Sequence, residues 1–324
     1  MLKVRRCSIF QIRVLITDRL HEDAIRLLSS YNGIKFDYKP DISRDELYRL
    51  IGEYDGLVVR SRTKVTREVL ERADKLKVIV RAGSGLDNID LDTACRLNIK
   101  VLNTPESVAS SVAELTLGLI IMLSRRLYKA VESLKKGEWL KNQLVGSELR
   151  DKKIGIIGVG NVGRRVAELA AAFKMKPLLN DIITIDGEFV EKVDGEIVDL
   201  ETLLRESDYV SLHLPLNNST RRMIREPEFK LMKKTAFFIN TARAEIVDSE
   251  ALYKALIEGW IAGAALDVYE VEPPIDLKLL KLENVICTPH IGAQTEEAGR
   301  KASIQAIKLA SSYLLEDVCS SGVE

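Results

Sequence analysis

Two doubly wound parallel-sheet domains of the α/β class are what this sequence predicts, and three observations carry the expectation. Short apolar runs alternate with stretches of helical spacing from Arg13 to Leu102 and again from Lys153 to Cys287. The runs hold little charge in their middles, the pattern of strands covered on both faces, and strands alternating with helices imply right-handed crossovers and parallel pairing. A length of 324 residues is enough for about two such domains.

In chain order, Val14-Leu15-Ile16-Thr17 reads as a strand before a helix at Glu22 to Leu28, and Ile34 to Tyr38 as a strand before a helix at Arg44 to Ile51. Gly56 to Val59 precedes Arg67 to Ala73, Val78-Ile79-Val80 precedes Leu91 to Leu97, and Val101-Leu102 ends the series before Asn103-Thr104-Pro105. Ser107 to about Trp139 reads as one or two long helices, with an apolar stripe through Val112, Leu115, Leu119 and Met122 and a break at Gly137. A helix of that length links two domains and offers a surface for a homodimer through about residues 107–140. The second domain opens with Lys153 to Ile157 and continues through Pro177 to Leu179, Tyr209 to Leu214, Ala236 to Asn240, Gly263 to Val268 and Val285 to Cys287. The last helix, about Thr295 to Leu315, packs back on the first domain, before a frayed tail at Ser320-Ser321-Gly322. The expected division is 1–105 with 294–324, and 106–293.

The second domain starts on its most informative stretch. Gly158-x-Gly160-x-x-Gly163 follows an uncharged strand and opens onto Arg164 to Ala170, which has helical spacing. The first glycine allows the turn, the second lets backbone approach a diphosphate, and the third lets helix and strand pack closely. The diphosphate would rest on the free N–H groups at the helix start. A glycine triplet alone is also met in plain turns, but here the next strand ends in Asn180-Asp181, 18 residues past Gly163, where a carboxylate can hold the adenosine ribose hydroxyls. Asp181 would repel a 2'-phosphate, and Ile182-Ile183-Thr184 brings no arginine, so NAD is expected over NADP.

Composition excludes other classes. Lys plus Arg and Asp plus Glu both total 48, so no net charge draws the chain to nucleic acid or membrane. Cys7, Cys95, Cys287 and Cys319 have neither disulfide nor metal-ligand spacing, and no metal is expected. Lys3, Arg5 and Arg6 precede Gln11 and Arg13, which interrupt any signal-peptide core, and the apolar run from Leu115 to Leu123 is shorter than a bilayer span. A soluble cytoplasmic protein is expected.

Ligands of open parallel sheets gather beyond the carboxyl ends of the strands. Three such ends carry ionisable groups: Asn240-Thr241-Ala242-Arg243, Asp267 to Pro274 with Glu270 and Glu272, and Thr288-Pro289-His290-Ile291-Gly292. Arginine, carboxylate and histidine suffice to oxidise a 2-hydroxy acid. The guanidinium grips the substrate carboxylate, the imidazole takes the hydroxyl proton, and the acid holds the far ring nitrogen. His21, starting a surface helix, and His213, between Leu212 and Leu214, read as structural. Periodicity does not choose between Glu270 and Glu272.

These segments, with Arg81-Ala82-Gly83-Ser84-Gly85-Leu86-Asp87-Asn88-Ile89-Asp90 and Gly155 to Gly163, resemble the D-isomer-specific 2-hydroxyacid dehydrogenases over nearly the whole chain, in order. The resemblance implies a Rossmann NAD-binding domain inserted into a flavodoxin-like substrate domain. It gives Arg243 the substrate-binding role, Glu272, the acid directly before proline, the role of partner to the histidine, and His290 that of acid/base. Cofactor positions carry over to Ser84, Asn161, Val162, Asp181, Leu214, Pro215, Thr241, Ala242, Asp267 and Gly292. Arg60-Ser61-Arg62-Thr63 resembles the stretch that meets the substrate, and two arginines there suit a phosphate; the alternative is that both are merely solvated. N–H groups around Gly83-Ser84-Gly85 could hold a carboxylate, with Arg81 nearby, and Lys141 could reach a neighbouring subunit's site. The expected reaction is oxidation of D-3-phosphoglycerate to 3-phosphohydroxypyruvate on the way to serine, in a cleft between the domains. The alternatives are glyoxylate or hydroxypyruvate reduction, another D-2-hydroxy acid, or a dinucleotide-sensing corepressor-like protein, which would need a peptide groove and partner-binding extensions that the sequence does not offer. Two departures stand out. Ala244-Glu245 replaces two glycines common in the family, which would alter the turn. The chain also stops near 324 without the regulatory domain many phosphoglycerate-oxidising members carry, so serine feedback through it is not expected.

Overall fold

The computed structural model describes residues 12–321, with side chains described as far as Glu316. Lys3, Arg5, Arg6, Cys7 and Gly322 lie outside the described residues, as does the side chain of Cys319. The described residues form two compact units, one reaching from the amino-terminal side to Val108 and resuming at Thr295, the other comprising Ala109–Gln294.

The first unit holds strands β1 (Ile12–Ile16), β2 (Ile34–Tyr38), β3 (Gly56–Val59), β4 (Val78–Arg81) and β5 (Lys100–Asn103), all parallel, in the order β2-β1-β3-β4-β5. Successive side chains of a strand leave by opposite faces. Leu15, Leu57, Val59 and Ile79 therefore enter one core, and Val14, Ile16, Val58, Val78 and Val80 the other. Helix Glu296–Ser321 covers the second of these cores with Ala302, Ala306, Ile307, Ala310 and Leu314, so the end of the chain completes the unit its beginning started.

The second unit holds β6 (Lys153–Ile157), β7 (Lys176–Asn180), β8 (Glu196–Ile197), β9 (Tyr209–Leu212), β10 (Phe237–Asn240), β11 (Gly263–Leu266) and β12 (Val285–Cys287), again all parallel, in the order β12-β11-β10-β9-β6-β7-β8. Ile157, Val210, Leu212 and Phe238 face one core while Ile154, Ile156, Tyr209 and Ile239 face the other. Strand β8 escapes sequence reading because it is two exposed residues, one of them charged.

The stretch after β5 forms two helices, Glu106–Ser124 and Leu127–Lys135. The break falls at Arg126, in a left-handed conformation with φ of 50°, and not at Gly137, which lies beyond the second helix with φ of 77°. Glu106–Ser124 is also longer than the apolar run suggested, and by length and composition alone it could cross a bilayer. Most of it is buried, with Ala113, Leu117, Leu119, Ile120 and Leu123 packed into the second unit's core, which is the behaviour of a core helix.

Close approach of helix Asn161–Ala172 to β6 rests on Gly163, where a Cβ would come within 2.0 Å of the Gly158 carbonyl oxygen. Backbone cannot yield as a flexible side chain can. Gly163→Ala should therefore destabilise the protein by about 1–3 kcal/mol, the usual cost of overpacking. Chemical denaturation would measure it, and an unchanged midpoint would refute the account.

Candidate active site

Both sheets reverse direction once. In the second, the chain leaves β6 toward β7 and leaves β9 toward β10, so the carboxyl ends of β6 and β9 border the crevice where such sheets bind ligands. Gly158 stands there with φ of 92°, and a side chain on it would strike the His213 carbonyl oxygen at 2.7 Å. Gly160 N-caps helix Asn161–Ala172 without a capping side chain, and a Cβ on it would meet nothing within 4 Å. Free N–H groups and open space thus coincide at the helix start, with Asn161, Val162 and Gly163 as its first turn. Asp181, just past β7, accepts the Val159 N–H at 2.6 Å and the Ile183 N–H at 3.0 Å, which sets its carboxylate beside the glycine turn. Leu214 and Pro215 leave the end of β9.

Three neighbouring strands deliver the ionisable groups: Arg243 follows β10, Asp267 and Glu272 follow β11, and His290 follows β12. His290 Nδ1 lies 2.8 Å from both oxygens of Glu272, and both side chains keep solvent access. That contact separates Glu272 from Glu270, which periodicity could not do. It also fixes a tautomer: Nδ1–H donates to the carboxylate and Nε2 is left as the acceptor. His290 itself has φ of 51°, a left-handed backbone that a non-glycine residue needs neighbours to hold. Asp267, 1% exposed, supplies them by accepting the Thr288 hydroxyl at 2.6 Å and the N–H groups of Ile291 and Gly292 at 2.8 Å each. Expected as a cofactor contact, Asp267 is thus first the clamp of the histidine turn. Ser111 Oγ donates to the Gly292 carbonyl at 2.6 Å, and the hydroxyls of Thr116 and Thr241 meet at 3.0 Å, so helix Glu106–Ser124 ties down two of the strand ends.

Arg243 donates Nη1 to the Ala242 carbonyl at 2.6 Å, while Asn240 secures the turn by donating to the Arg243 carbonyl and accepting the Ala242 N–H. Ala244–Ile246 is a single 3-10 turn, and neither Ala244 nor Glu245 has a positive φ, so nothing in it demands the glycines. Of the other histidines, His21 caps helix Glu22–Leu27 by accepting the Asp23 N–H on Nδ1. Burial pushes His213 down to about 3, and it faces Ser211 Oγ at 2.9 Å.

Sequence comparison gives the family. The family model described as D-isomer specific 2-hydroxyacid dehydrogenase, NAD binding domain, matches residues 117–292. The chain belongs to the D-isomer specific 2-hydroxyacid dehydrogenase family. It is 45% identical over 299 residues to a hydroxypyruvate reductase of Thermotoga maritima, covering 91% of this chain and 96% of that one. It is 46% identical over 292 residues to a D-3-phosphoglycerate dehydrogenase of Methanocaldococcus jannaschii, where it spans 90% of this chain but only 55% of the relative's length. Among solved structures, D-lactate dehydrogenase from Aquifex aeolicus, in complex with NAD and lactic acid, matches with a TM-score of 0.81 at 31% identity, over 94% of this chain and 96% of that one.

The residues fit the family's cofactor, NAD. The open space at Gly160 would leave room for a diphosphate, and Asp181, held beside the glycine turn, would offer a carboxylate to the hydroxyls of an adenosine ribose. Beside it Ile182 and Ile183 are 97% and 72% exposed, apolar where a 2'-phosphate would need a cation.

The first unit carries the remaining candidates of this dehydrogenase. Its sheet reverses between β1 and β3, and a buried carboxylate, Asp18, sits at that point. Asp18 accepts the Arg60 N–H at 2.5 Å, the Thr63 hydroxyl at 2.8 Å and Arg62 Nε at 3.0 Å. Arg62 also donates to the carbonyls of Thr17, Pro40 and Ile42. Four of its five N–H groups are thereby spent, so the expectation of paired arginines on a phosphate is corrected: Arg62 clasps the loop, and Arg60 and Ser61 are what the loop presents. Arg81 donates to Asn88, whose amide in turn holds the carbonyls of Arg60 and Thr63. The Gly83 N–H is taken by Thr104 Oγ1 at 2.8 Å, which leaves Ser84 and Gly85 to offer theirs. Among the described residues no cluster of three or more His, Cys, Asp or Glu is placed to hold a metal.

Asp181→Ala should weaken NAD about tenfold and narrow its advantage over NADP, since it removes one charge-assisted hydrogen bond and the repulsion of a 2'-phosphate. Fluorescence titration with both cofactors would measure this, and unchanged affinities would move the ribose elsewhere.

Proposed function

We propose that the protein oxidises D-3-phosphoglycerate to 3-phosphohydroxypyruvate with NAD, and that Arg243, Glu272 and His290 do the work. The single observation behind this reading is the His290 ring, fixed on Nδ1 by both oxygens of Glu272 so that Nε2 is presented as a base. NAD, when bound, supplies the acceptor for the hydride from C2. His290 Nε2 takes the C2 hydroxyl proton, and Glu272 stabilises the resulting imidazolium. Arg243 binds the substrate carboxylate through its planar fork and favours the charge that develops at the C2 oxygen. In the reverse direction the same imidazolium returns its proton to the keto oxygen. Arg60, Ser61 and Arg81, with the N–H groups of Ser84 and Gly85, are assigned to the substrate's charged end.

One observation favours a second reading. With Arg62 spent on Asp18 and three carbonyls, only one arginine of the β3 loop is left for a phosphate, which suits hydroxypyruvate or glyoxylate reduction as well. The relatives above divide the same way. We further infer a cytoplasmic homodimer. Leu127, Val131 and Leu134 lie three and four residues apart on helix Leu127–Lys135, each at least 40% exposed, and Trp139 beyond it is 78% exposed; this is the apolar stripe a second copy would cover. Exposed Lys141 is assigned to the partner's site.

His290→Gln should lower turnover about a hundredfold or more with NAD affinity within about twofold, the scale of lost acid/base catalysis. Near-normal turnover, measured by nicotinamide absorbance, would remove His290 from the chemistry. A panel of phosphoglycerate, glycerate, lactate and glyoxylate separates the substrates. Arg60→Met should impair the phosphorylated acid most, by about tenfold or more in kcat/KM. Arg62→Met should instead lower thermal stability and weaken all acids alike. Equal losses across the panel for Arg60→Met would exclude a phosphate contact there.

A further inference from the structure

We propose that Tyr269 is a positioning residue that braces the His290–Glu272 pair from both sides; this rests on reading that pair as the proton-transfer site. Tyr269 lies three residues past the end of β11, between the arm that carries Glu272 and the arm that carries His290. Its backbone N–H donates to Glu272 Oε1 at 3.3 Å, one of the two oxygens on His290 Nδ1. Its hydroxyl donates to the Thr288 carbonyl at 2.8 Å, and that same oxygen accepts the backbone N–H of His290 at 3.0 Å. One residue therefore touches the acid's carboxylate with its main chain and the histidine's backbone anchor with the tip of its side chain.

The arrangement answers a need the rest of the site leaves open. Asp267 holds Thr288, Ile291 and Gly292 by groups on either side of the histidine, but nothing in that set reaches Glu272. Tyr269 adds the link that joins the Glu272 carboxylate to the carbonyl anchoring the His290 N–H. Its hydroxyl is a dependable donor, because burial raises its pKa well above the ordinary tyrosine value. Of the other titratable groups around the turn, Asp267 is spent on its three donors, and the Cys287 thiol, itself raised by burial, also meets the Tyr269 hydroxyl. Tyr269 acts through His290 and is assigned no contact with substrate or cofactor.

Tyr269→Phe keeps the ring and removes only the hydroxyl, so it is the variant to test, beside His290→Gln. The expected result is a fall in kcat of about tenfold, the scale of one lost hydrogen bond and a slightly misplaced ring, with KM and the NAD dissociation constant within about twofold. A displaced imidazole meets the Glu272 carboxylate less well and its charged form is stabilised less, so keto-acid reduction should also fail at a lower pH than in the parent enzyme. If Tyr269→Phe matches the parent in kcat and pH profile while His290→Gln is crippled, the brace is refuted and the pair stands. Parallel loss of NAD affinity, KM and kcat would also refute it, as general damage. If His290→Gln is itself near normal, the proton-transfer reading falls first.

Discussion

Parallel pairing is the constraint from which the rest follows. It forces every carboxyl end of a sheet to one edge, so groups scattered from Gly158 to His290 in the chain leave their strands side by side. The price of such pairing is burial of both faces, and the sequence meets it with runs such as Ile154 to Ile157 and Tyr209 to Leu212 whose side chains enter two separate cores. Little freedom then remains for the loops, and each reversal of the sheet leaves a crevice at a known place. Both units put a loop there: the glycine turn between β6 and β9, and the Arg60 to Thr63 segment between β1 and β3.

Each unit also solves the same local problem with one buried carboxylate. A loop that must hold side chains in fixed directions has few neighbours of its own, and a buried charge is tolerated only when donors surround it. Asp18 and Asp267 turn that requirement to use. Their donors are backbone N–H groups, hydroxyls and, for Asp18, a guanidinium, all belonging to the loop being held. Satisfying the carboxylate and ordering the loop are one event, so removing either acid would leave several buried donors unpaired at once.

Much of this was legible in the sequence, for physical reasons that also explain the gaps. Strand identity followed from apolar runs with glycine or polar ends, and β2 and β3 were placed to the residue because Ile34 to Tyr38 and Gly56 to Val59 are sharply bounded. The glycine turn was legible because Gly158 and Gly163 answer steric needs while Gly160 leaves open space at the helix start. Helix ends were less so: Arg126 breaks the long helix in a conformation that nothing in its side chain announces, while Gly137 advertised a break that lies farther on. The deepest gap concerns who consumes whose hydrogen bonds. Arg62 was expected at a phosphate because its stretch resembles the one that meets the substrate and two arginines there suit one, and only the fold reveals the carbonyls of Thr17, Pro40 and Ile42 around it. Asp18 stands two residues past β1, where the strand-end rule that singled out Arg243 and His290 would equally have found it. Tyr269 had no such signal, because its part is played by a backbone N–H and a hydroxyl that meet different arms.

The exposures of the groups divide the labour between structure and chemistry. His290 and Glu272 keep 45% and 39% of their side-chain surface, and an ion pair that open contributes on the order of 0–1 kcal/mol to folding. It therefore cannot be what keeps a non-glycine residue left-handed at His290. That task falls to Asp267, buried and triply bonded. With the backbone secured from below, Glu272 and the imidazole are relieved of a structural role. On the proposed reading, their contact can then change charge as a proton moves, without loosening the turn that presents it.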